Sequence, residues 1–319
     1  MDRSELEIFA RTLRHATESR TGAALDAALE EAGWREALGL DRRAAVSTLF
    51  TLQGEATATS SALDLVLLDA LRLDVPSAGV VLPPLGAWTP PGELDGKRLR
   101  VRGLGTAAVA AGRTAVVVAR SGGADVAVVV PVTELSLRLV RGLDPSLGLV
   151  EVTGEASVAG ADAKPVGKEW ASAVAAGQVA LGHELVGASR KMLALAREHA
   201  LTRIQFGRAI ATLQAVRHRL AETLVAIETA DAVLAAAWED RSAETAAMAK
   251  ALAGRGARTV ARHCQQVLAG IGFTTEHSLH RYVRRVLVIE PLLGSARTLT
   301  RAQGTELLRT KKLPPLLPL

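Results

Sequence analysis

The chain contains a single cysteine among its 319 residues, Cys264, so an internal disulfide bond is excluded. This cysteine usage is compatible with a reducing compartment, and we expect a cytoplasmic protein. A lone cysteine of this kind is far more often a small buried hydrophobe than a catalytic thiol. Aromatic residues make up only 3% of the chain, so the core must be built from contacts between aliphatic side chains.

Long hydrophobic runs are also missing. No stretch of about 18 apolar residues occurs, because Arg113 and Arg120 interrupt the longest candidate, and a membrane span is not expected. Residues 1–6 lack the uninterrupted apolar core of a signal peptide.

Acidic residues are fewer than basic ones. The chain has 33 aspartates and glutamates and 38 lysines and arginines, which gives a net charge of +5. The arginines are dispersed and lack interleaved aromatic residues, so nucleic-acid binding is not expected. Attraction of an anionic ligand or of an acidic partner subunit would explain the charge equally well. Solvated or interface positions are expected for two groups of arginines, namely Arg255, Arg258 and Arg262, and Arg281, Arg284 and Arg285.

Metal ligands are scarce as well. His277 and His280 are spaced i,i+3, but neither they nor His263 has an evident set of further ligands. No metal site is therefore predicted.

Three regions follow one another along the sequence. Short helices are predicted first, including residues 4–16, 25–31 and 60–72. Short β-prone runs separated by glycine, proline and aspartate come next, at residues 79–82, 99–101, 115–119, 126–130 and 135–140. Long amphipathic helical patterns then cover residues 171–199, 208–239, 242–268 and 278–311.

This order predicts a mainly α protein with a small central β domain. We expect a helical N-terminal domain over residues 1–75, a β-barrel or sandwich over 76–165 and a four-helix bundle over 166–319. The bundle should end in an extended proline-rich tail at residues 314–318, because proline cannot continue a helix.

Two motifs stand at the ends of these helical patterns. The first, Arg203-Ile204-Gln205-Phe206-Gly207, is followed by Ile210 and Gln214 at the hinge between two long helices. Its arginine could bind a phosphate through charge-assisted hydrogen bonds. The second motif lies about sixty residues later and reads Gln266-Val267-Leu268-Ala269-Gly270-Ile271-Gly272-Phe273.

Both motifs, at this spacing, resemble those of the acyl-CoA dehydrogenase family, which has Arg-x-x-Phe-Gly and Gln-x-x-Gly-Gly-x-Gly-Phe. The resemblance is specific over roughly residues 166–300, looser over 76–165 and poor over 1–75. In this family a glutamate removes the α proton of an acyl-CoA, and a hydride passes from the β carbon to the flavin of FAD. The helix, β and bundle order of this sequence is also the order of the family.

The resemblance implies which residues contact the cofactor. A neighbouring subunit's two motifs hold the FAD pyrophosphate and adenosine in the family, while the flavin ring lies in the β domain of the other subunit. Carried over to this chain, the cofactor-binding residues are Arg203, Gln205, Phe206, Ile210, Gln214, Gln266 and Gly270. Ala269 replaces the first glycine of the usual pair.

The positions of the catalytic glutamate carry no carboxylate here. The common position falls on Leu293, and the rarer one, near the start of the first bundle helix, falls close to Gly177. No catalytic residue is therefore expected in this chain. Of the other carboxylates, Glu290 is expected to be a surface group paired with Arg284 and Arg285, and Glu184 to lie on a solvated face.

The segments that should hold the flavin ring also depart from the family. Residues 76–81 stand in place of a Thr-Glu-Pro-x-x-Gly-Ser segment, and residues 98–103, with three arginines, in place of an aromatic and a Thr-Asn pair. The N-terminal region lacks the family's Pro-Glu-x-x-Gly-Gly segment.

These selective losses resemble the short subunit of heteromeric (α2β2) acyl-CoA dehydrogenases of actinobacterial steroid side-chain degradation. The resemblance implies an acyl-CoA substrate, a shared FAD, and a full-length acyl-CoA dehydrogenase partner that supplies the base and the ring pocket. Two alternatives stay open. One is a flavin-free scaffold or regulatory bundle, and the other is a self-sufficient enzyme with a displaced base such as Glu290.

Overall fold

The structure, a computed structural model, describes residues 3–75, 78–158 and 162–311. The proline-rich tail predicted over residues 314–318 lies outside the described residues, as do Pro76 and Ser77 of the segment compared with the flavin motif.

Five helices precede the sheet: α1 (Arg3–Ser19), α2 (Ala23–Glu31), α3 (Trp34–Leu40), α4 (Arg42–Ala56) and α5 (Ala62–Leu71). The Asp41 carboxylate starts α4 by accepting the Ala44 N–H at 3.0 Å. The sequence predicts α1, α2 and α5 but not α4, because the buried residues of this helix spread over a wide arc and leave only a weak amphipathic period.

The sheet occupies the middle of the chain. Its strands are β1 (Gly79–Val80), β2 (Gly92–Asp95), β3 (Arg98–Gly105), β4 (Thr114–Ser121), β5 (Ala124–Pro131), β6 (Leu135–Leu139), β7 (Val150–Ser157) and β8 (Lys164–Pro165), with helix α6 (Ala107–Ala111) between β3 and β4. The strand order is β6-β7-β3-β2-β4-β5-β8, and β1 pairs with β4 in parallel. The sequence does not predict β7, in which apolar residues alternate with Glu151, Thr153 and Glu155.

Strand β4 separates two hydrophobic cores. Val116 and Val118 belong to the large core shared with the helices, while Ala115 and Val117 belong to a smaller core within the sheet region. A strand buried on both faces reads as a continuous apolar run, which is what residues 115–119 show.

The C-terminal helices are α7 (Gly167–Thr202), α8 (Gln214–Asp240), α9 (Ala243–Leu268), α10 (Leu279–Ile289) and α11 (Ala296–Thr310). The fourth predicted helix, residues 278–311, is therefore two helices. Pro291 cannot donate a helical hydrogen bond, Gly294 has φ +102°, and Ser295 with Thr298 forms a capping box that starts α11. The mainly α fold with a central sheet is confirmed, whereas the proposed domain boundaries stay a prediction.

Helices α4 and α7 touch through their backbones. A Cβ on Gly187 would lie 2.0 Å from the Thr51 carbonyl oxygen, and one on Gly54 would lie 2.1 Å from the Glu184 carbonyl oxygen. Only glycine permits this approach, so the N-terminal helices and the bundle share one core.

A buried arginine connects the three regions. The Arg285 guanidinium, which is fully buried on α10, donates to the carboxylates of Asp144 at 2.6 Å and Glu184 at 3.1 Å. It also donates to the carbonyl oxygens of Ala58 and Thr57, at 2.9 Å each. We call these five residues the Arg285 cluster; it joins the end of α4, the loop before β7, and helices α7 and α10.

Two expectations from the sequence are wrong here. Arg285 and Glu184 are buried rather than solvated, because α7 packs against both α4 and α10 and each charge finds its partner inside. Burial raises the pKa of the Glu184 carboxyl, and the nearby Arg285 charge opposes that rise only in part. Cys264 is buried as predicted, and burial raises the pKa of its thiol to about 12.

Among the described residues, no helix combines the length and the apolar character that crossing a bilayer requires.

The Arg285 cluster yields a stability prediction. Arg285→Met should lower the free energy of unfolding by about 3–5 kcal/mol, because it leaves the Asp144 and Glu184 carboxylates buried without their partner. Chemical denaturation measures this, with Arg284→Met, at an exposed neighbour on the same helix, as the matched control. Equal stabilities of the two variants would show that the cluster does not hold the fold.

Asp64 yields a pH prediction. Its buried carboxylate accepts the Val80 N–H at 2.8 Å and the Thr106 hydroxyl at 2.7 Å, and burial raises its pKa from 3.8 to about 6. The folded protein therefore holds this proton more tightly than the unfolded chain, so stability is present below pH 4 and is lost as pH rises through 6.

Asp64→Asn removes the charge and can keep both contacts: the amide oxygen accepts the Val80 N–H, and the amide NH₂ donates to the Thr106 hydroxyl, which reverses the direction of that hydrogen bond. We expect the free energy of unfolding of this variant, relative to that of the wild type, to increase by about 2 kcal/mol between pH 4 and pH 7. Denaturation curves across this range measure the difference, and Asp74→Asn, at an exposed carboxylate, is the matched control. A constant difference between Asp64→Asn and wild type would contradict the prediction.

Candidate cofactor half-site

The first motif forms a short hairpin between α7 and α8. Strands β9 (Ile204–Gln205) and β10 (Arg208–Ala209) pair in antiparallel register, and the Ile210 N–H closes the hairpin on the Arg203 carbonyl oxygen at 3.0 Å. The two turn residues, Phe206 at φ +53° and Gly207 at φ +74°, both have positive φ, as a type I′ turn requires. The hairpin fixes the backbone of Arg203 at the end of α7.

The second motif ends helix α9. Gln266 lies in its last turn, and a 3₁₀ turn, Ala269–Phe273, follows. Ala269 has φ +52° and ψ −135°, a backbone conformation that glycine adopts without cost and alanine rarely does. The loop thus keeps a glycine-like path although the first glycine of the pair is replaced. Gly270 faces open space, so its backbone is accessible.

Both motifs lie at the same end of the bundle. Helix α8 runs antiparallel to α7, because Gly182 lies beside Leu234 and Arg190 beside Asp231. It also runs antiparallel to α9, since the Thr223 hydroxyl meets the His263 ring at 3.3 Å and Ala226 meets Gly256. Helices α7 and α9 are therefore parallel, and their C-terminal ends lie together.

Electrostatics at this end agree with that arrangement. Partial burial lowers the pKa of His199 on α7, and the charges of His277 and Arg203 lower it further. His277 follows the second motif, so the two motifs lie within electrostatic reach of each other.

The structure brings the seven predicted cofactor residues to this end of the bundle. Six are exposed and Ile210 is half-buried; they are Arg203, Gln205, Phe206, Ile210, Gln214, Gln266 and Gly270. Apolar rings are unusually open here, with Phe206 87% exposed and Phe273 70% exposed.

These groups fit the tail of FAD. Within the described residues Arg203 makes no ion pair, so its guanidinium is available to a diphosphate. The Gln266 amide and the open backbone at Gly270 can donate to phosphate oxygens, and Phe206 offers apolar area to an adenosine.

The two positions of the family's catalytic carboxylate meet in the structure. Leu293 is fully buried, and its Cδ1 lies 2.4 Å from the point where a Cβ of Gly177 would be. Leu67 and Leu63 close the same space from α5, and the Gln178 side chain donates to the Leu293 carbonyl oxygen at 2.9 Å. Aliphatic packing therefore fills the point where a base would stand.

Glu290 is held elsewhere. Its carboxylate accepts the Ala296 N–H at 2.6 Å and lies 3.6 Å from the Arg258 guanidinium. The expectation of a surface carboxylate beside Arg284 and Arg285 is wrong, because Glu290 is buried and caps α11.

Sequence reasoning missed Lys250. This fully buried lysine donates from Nζ to the Glu290 carbonyl oxygen at 2.7 Å and to that of Gly294 at 3.4 Å, which fixes the segment around Leu293. Burial lowers the pKa of its amine to about 8. A lone lysine within the alanine-rich pattern of α9 was the available signal.

The arginines of β3 do not fit a flavin ring. Arg98 forms two-pronged hydrogen bonds with the Glu155 carboxylate at 2.6–2.9 Å, and Arg100 pairs with Glu93 at 3.3 Å. Arg98 and Arg100 thus form exposed ion pairs, whereas a flavin ring requires an apolar and hydroxyl-bearing surface.

The sequence is similar to that of known acyl-CoA dehydrogenases. Residues 170–306 match the family described as acyl-CoA dehydrogenase, C-terminal domain. The acyl-CoA dehydrogenase IpdE2 of Mycobacterium tuberculosis is 33% identical over 174 residues, which is 54% of this chain and 52% of that protein. The aligned region thus spans about half the length of this curated relative.

Two solved structures have the same fold over almost the whole chain. The ChsE4-ChsE5 complex from Mycobacterium tuberculosis matches with a TM-score of 0.81 and 21% identity, covering 99% of both chains. The Tcur3481-Tcur3483 steroid ACAD G363A variant matches with a TM-score of 0.79 and 21% identity, covering 97% of this chain and 98% of that one.

Residues 170–306 are thus similar to the C-terminal domain of acyl-CoA dehydrogenases, and the described residues have the acyl-CoA dehydrogenase fold.

Proposed function

We propose that this chain is the non-catalytic, cofactor-contacting subunit of a heteromeric, FAD-dependent acyl-CoA dehydrogenase. It contributes the site for the FAD diphosphate and adenosine, and a full-length partner subunit in an α2β2 assembly contributes the flavin-ring pocket and the catalytic glutamate. The reaction is the α,β-dehydrogenation of a CoA thioester.

One observation carries this proposal. Leu293 packs directly against Gly177, so both places where the family puts its base are filled by aliphatic contacts. The bundle end that carries Arg203 and Gln266 is exposed instead. A chain that had lost its function altogether would not be expected to keep one half of the site so completely.

The compared structures support a partner and a substrate class. One of them is a complex of two differently named proteins, and the other is described as a steroid ACAD. We infer that this chain likewise assembles with a full-length acyl-CoA dehydrogenase and that the acyl group is a steroid side chain.

Each residue of the half-site has a role in binding. Arg203 neutralises the diphosphate charge, and the hairpin holds its backbone so that little ordering is needed on binding. Gln266 and the Gly270 backbone donate to the phosphate oxygens, while Phe206 and Ile210 cover the adenosine. Bound FAD supplies the hydride acceptor of the reaction. Because these contacts fix the tail, they position the ring in the partner.

Two other functions remain as alternatives. Glu290 is a poor base, because its carboxylate accepts the Ala296 N–H at the start of α11 and pairs with Arg258 of α9. A flavin-free scaffold would leave the side chains of Arg203 and the exposed Phe206 without a role, since neither side chain makes an ion pair, hydrogen bond or core contact within the described residues.

Removing the arginine tests the half-site. In the complex co-purified with a full-length acyl-CoA dehydrogenase subunit, Arg203→Ala should weaken FAD binding by at least about tenfold, because a charge-assisted hydrogen bond contributes about 1.5–3 kcal/mol. Flavin absorbance per assembled particle after dialysis measures the loss. Arg197→Ala, at another exposed arginine of α7, is the matched control. Unchanged flavin occupancy in Arg203→Ala would support the flavin-free scaffold instead.

Glu290→Gln tests the displaced base. The amide can still accept the Ala296 N–H, so the fold should hold, and we expect kcat of the complex to change by less than about twofold. A general base contributes about a hundredfold or more to the rate. A loss of that size, with flavin occupancy intact, would identify Glu290 as the base and would refute the proposed non-catalytic role.

A further inference from the structure

A cavity of about 730 Å³ opens on the sheet beside the ends of β3, β6 and β7. Its walls combine apolar side chains with three arginines and one acidic side chain, Glu151. The residues that matter are Leu85, Leu104, Leu139, Arg102, Arg138 and Arg141, and we call it the β-sheet cavity.

A glycine makes one wall of the cavity possible. A Cβ on Gly103 would lie 2.3 Å from the Leu82 carbonyl oxygen, so only glycine lets the segment before β2 lie against β3. Leu82 and Leu104 exchange two backbone hydrogen bonds, at 2.7 and 2.8 Å. The chain then continues to Leu85, which stands over the cavity and is 54% exposed.

The charges around the cavity are not balanced. The outward residues of β3 are Arg98, Arg100 and Arg102, and the first two pair with Glu155 and Glu93. In register beside Arg102 on β7 is Thr153, which carries no charge. Within the part of the chain that the structure describes, Arg102 makes no ion pair.

Strand β6 and the residues after it also carry one paired and one unpaired arginine. Arg138 pairs with the Glu151 carboxylate across the strands, with its Nε 2.9 Å from Oε2. Arg141, just beyond the strand, is exposed and makes no ion pair among the residues described. Leu139, between them, is 54% exposed and lines the cavity. Two unbalanced guanidinium groups thus border an apolar surface.

We propose that the β-sheet cavity binds a small amphiphilic anion, an apolar chain that ends in a carboxylate or a phosphate. Its volume lies within the range of small-molecule sites in proteins, about 300–1,000 Å³. Arg102 and Arg141 bind the oxyanion, since guanidinium groups match carboxylate and phosphate geometry. Leu85, Leu104 and Leu139 remove the chain from water. The site is separate from the cofactor half-site and does not depend on it.

Octanoate is the first probe, used on the full-length chain by titration calorimetry at low ionic strength. We expect saturable binding at one site, and each of Arg102→Gln and Arg141→Gln should weaken it by about tenfold. Arg100→Gln is the matched control, because Arg100 lies on the same face of the same strand but is paired with Glu93. It should bind octanoate as the wild type does.

Two further probes separate the contributions. Octan-1-ol has the chain without the charge and should bind at least about tenfold more weakly than octanoate. Octyl phosphate should compete with octanoate, and the tighter of the two identifies the head group.

Three results would overturn the proposal. They are absence of saturable octanoate binding at millimolar concentration, equal affinity in wild type and Arg102→Gln, and displacement of octanoate by FAD. The last would make the cavity a flavin site.

Discussion

Arg285 and its two carboxylates hold the three regions of the molecule in one arrangement. A guanidinium without access to water is tolerated only when its donors are satisfied, and here the N-terminal helices, a loop of the sheet and helix α7 each supply an acceptor. The middle section of α7 therefore packs against both α4 and α10. Gly54 and Gly187 reinforce this by bringing the two helix backbones into contact.

The same rigid contact explains how the two halves of the family's site differ in this chain. In the middle of α7, the space beside Gly177 is filled by Leu293, and Lys250 holds the segment that presents this leucine. At the end of α7, the chain leaves the core and presents Arg203 on a closed hairpin. The middle of the helix is thus packed in the core, while the hairpin at its end carries Arg203, whose guanidinium pairs with no carboxylate among the described residues. This contrast is the physical basis for assigning the chemistry to a partner subunit.

Sequence reasoning identified the features that depend on local pattern. The hydrophobic periodicity predicts the long helices α7, α8 and α9, and the two motifs can be recognised between and after them. Both signals arise from residues that are close together in the sequence. The break between α10 and α11 could also have been read from Pro291 and Gly294, which interrupt an otherwise helical pattern.

Other features depend on partners that are distant in sequence. Glu184 and Arg285 are 101 residues apart, and each reads as an ordinary surface charge until the fold brings them together. The burial of Lys250, whose acceptors lie 40 and 44 residues away, was hidden for the same reason. The contact of Leu293 with Gly177 could not be predicted either, although both positions were singled out, because the family resemblance treats them as alternatives rather than neighbours.

The central claim is that one flavin is shared by one copy of this chain and one full-length partner. Co-expression with a full-length acyl-CoA dehydrogenase subunit, followed by native mass and flavin absorbance of the purified particle, measures it directly. The account predicts an α2β2 particle with two flavins, one for each ring pocket in the partner. Four flavins per particle would mean that this chain holds a ring as well, and a flavin-free particle would mean that it holds no tail; either result would contradict the account.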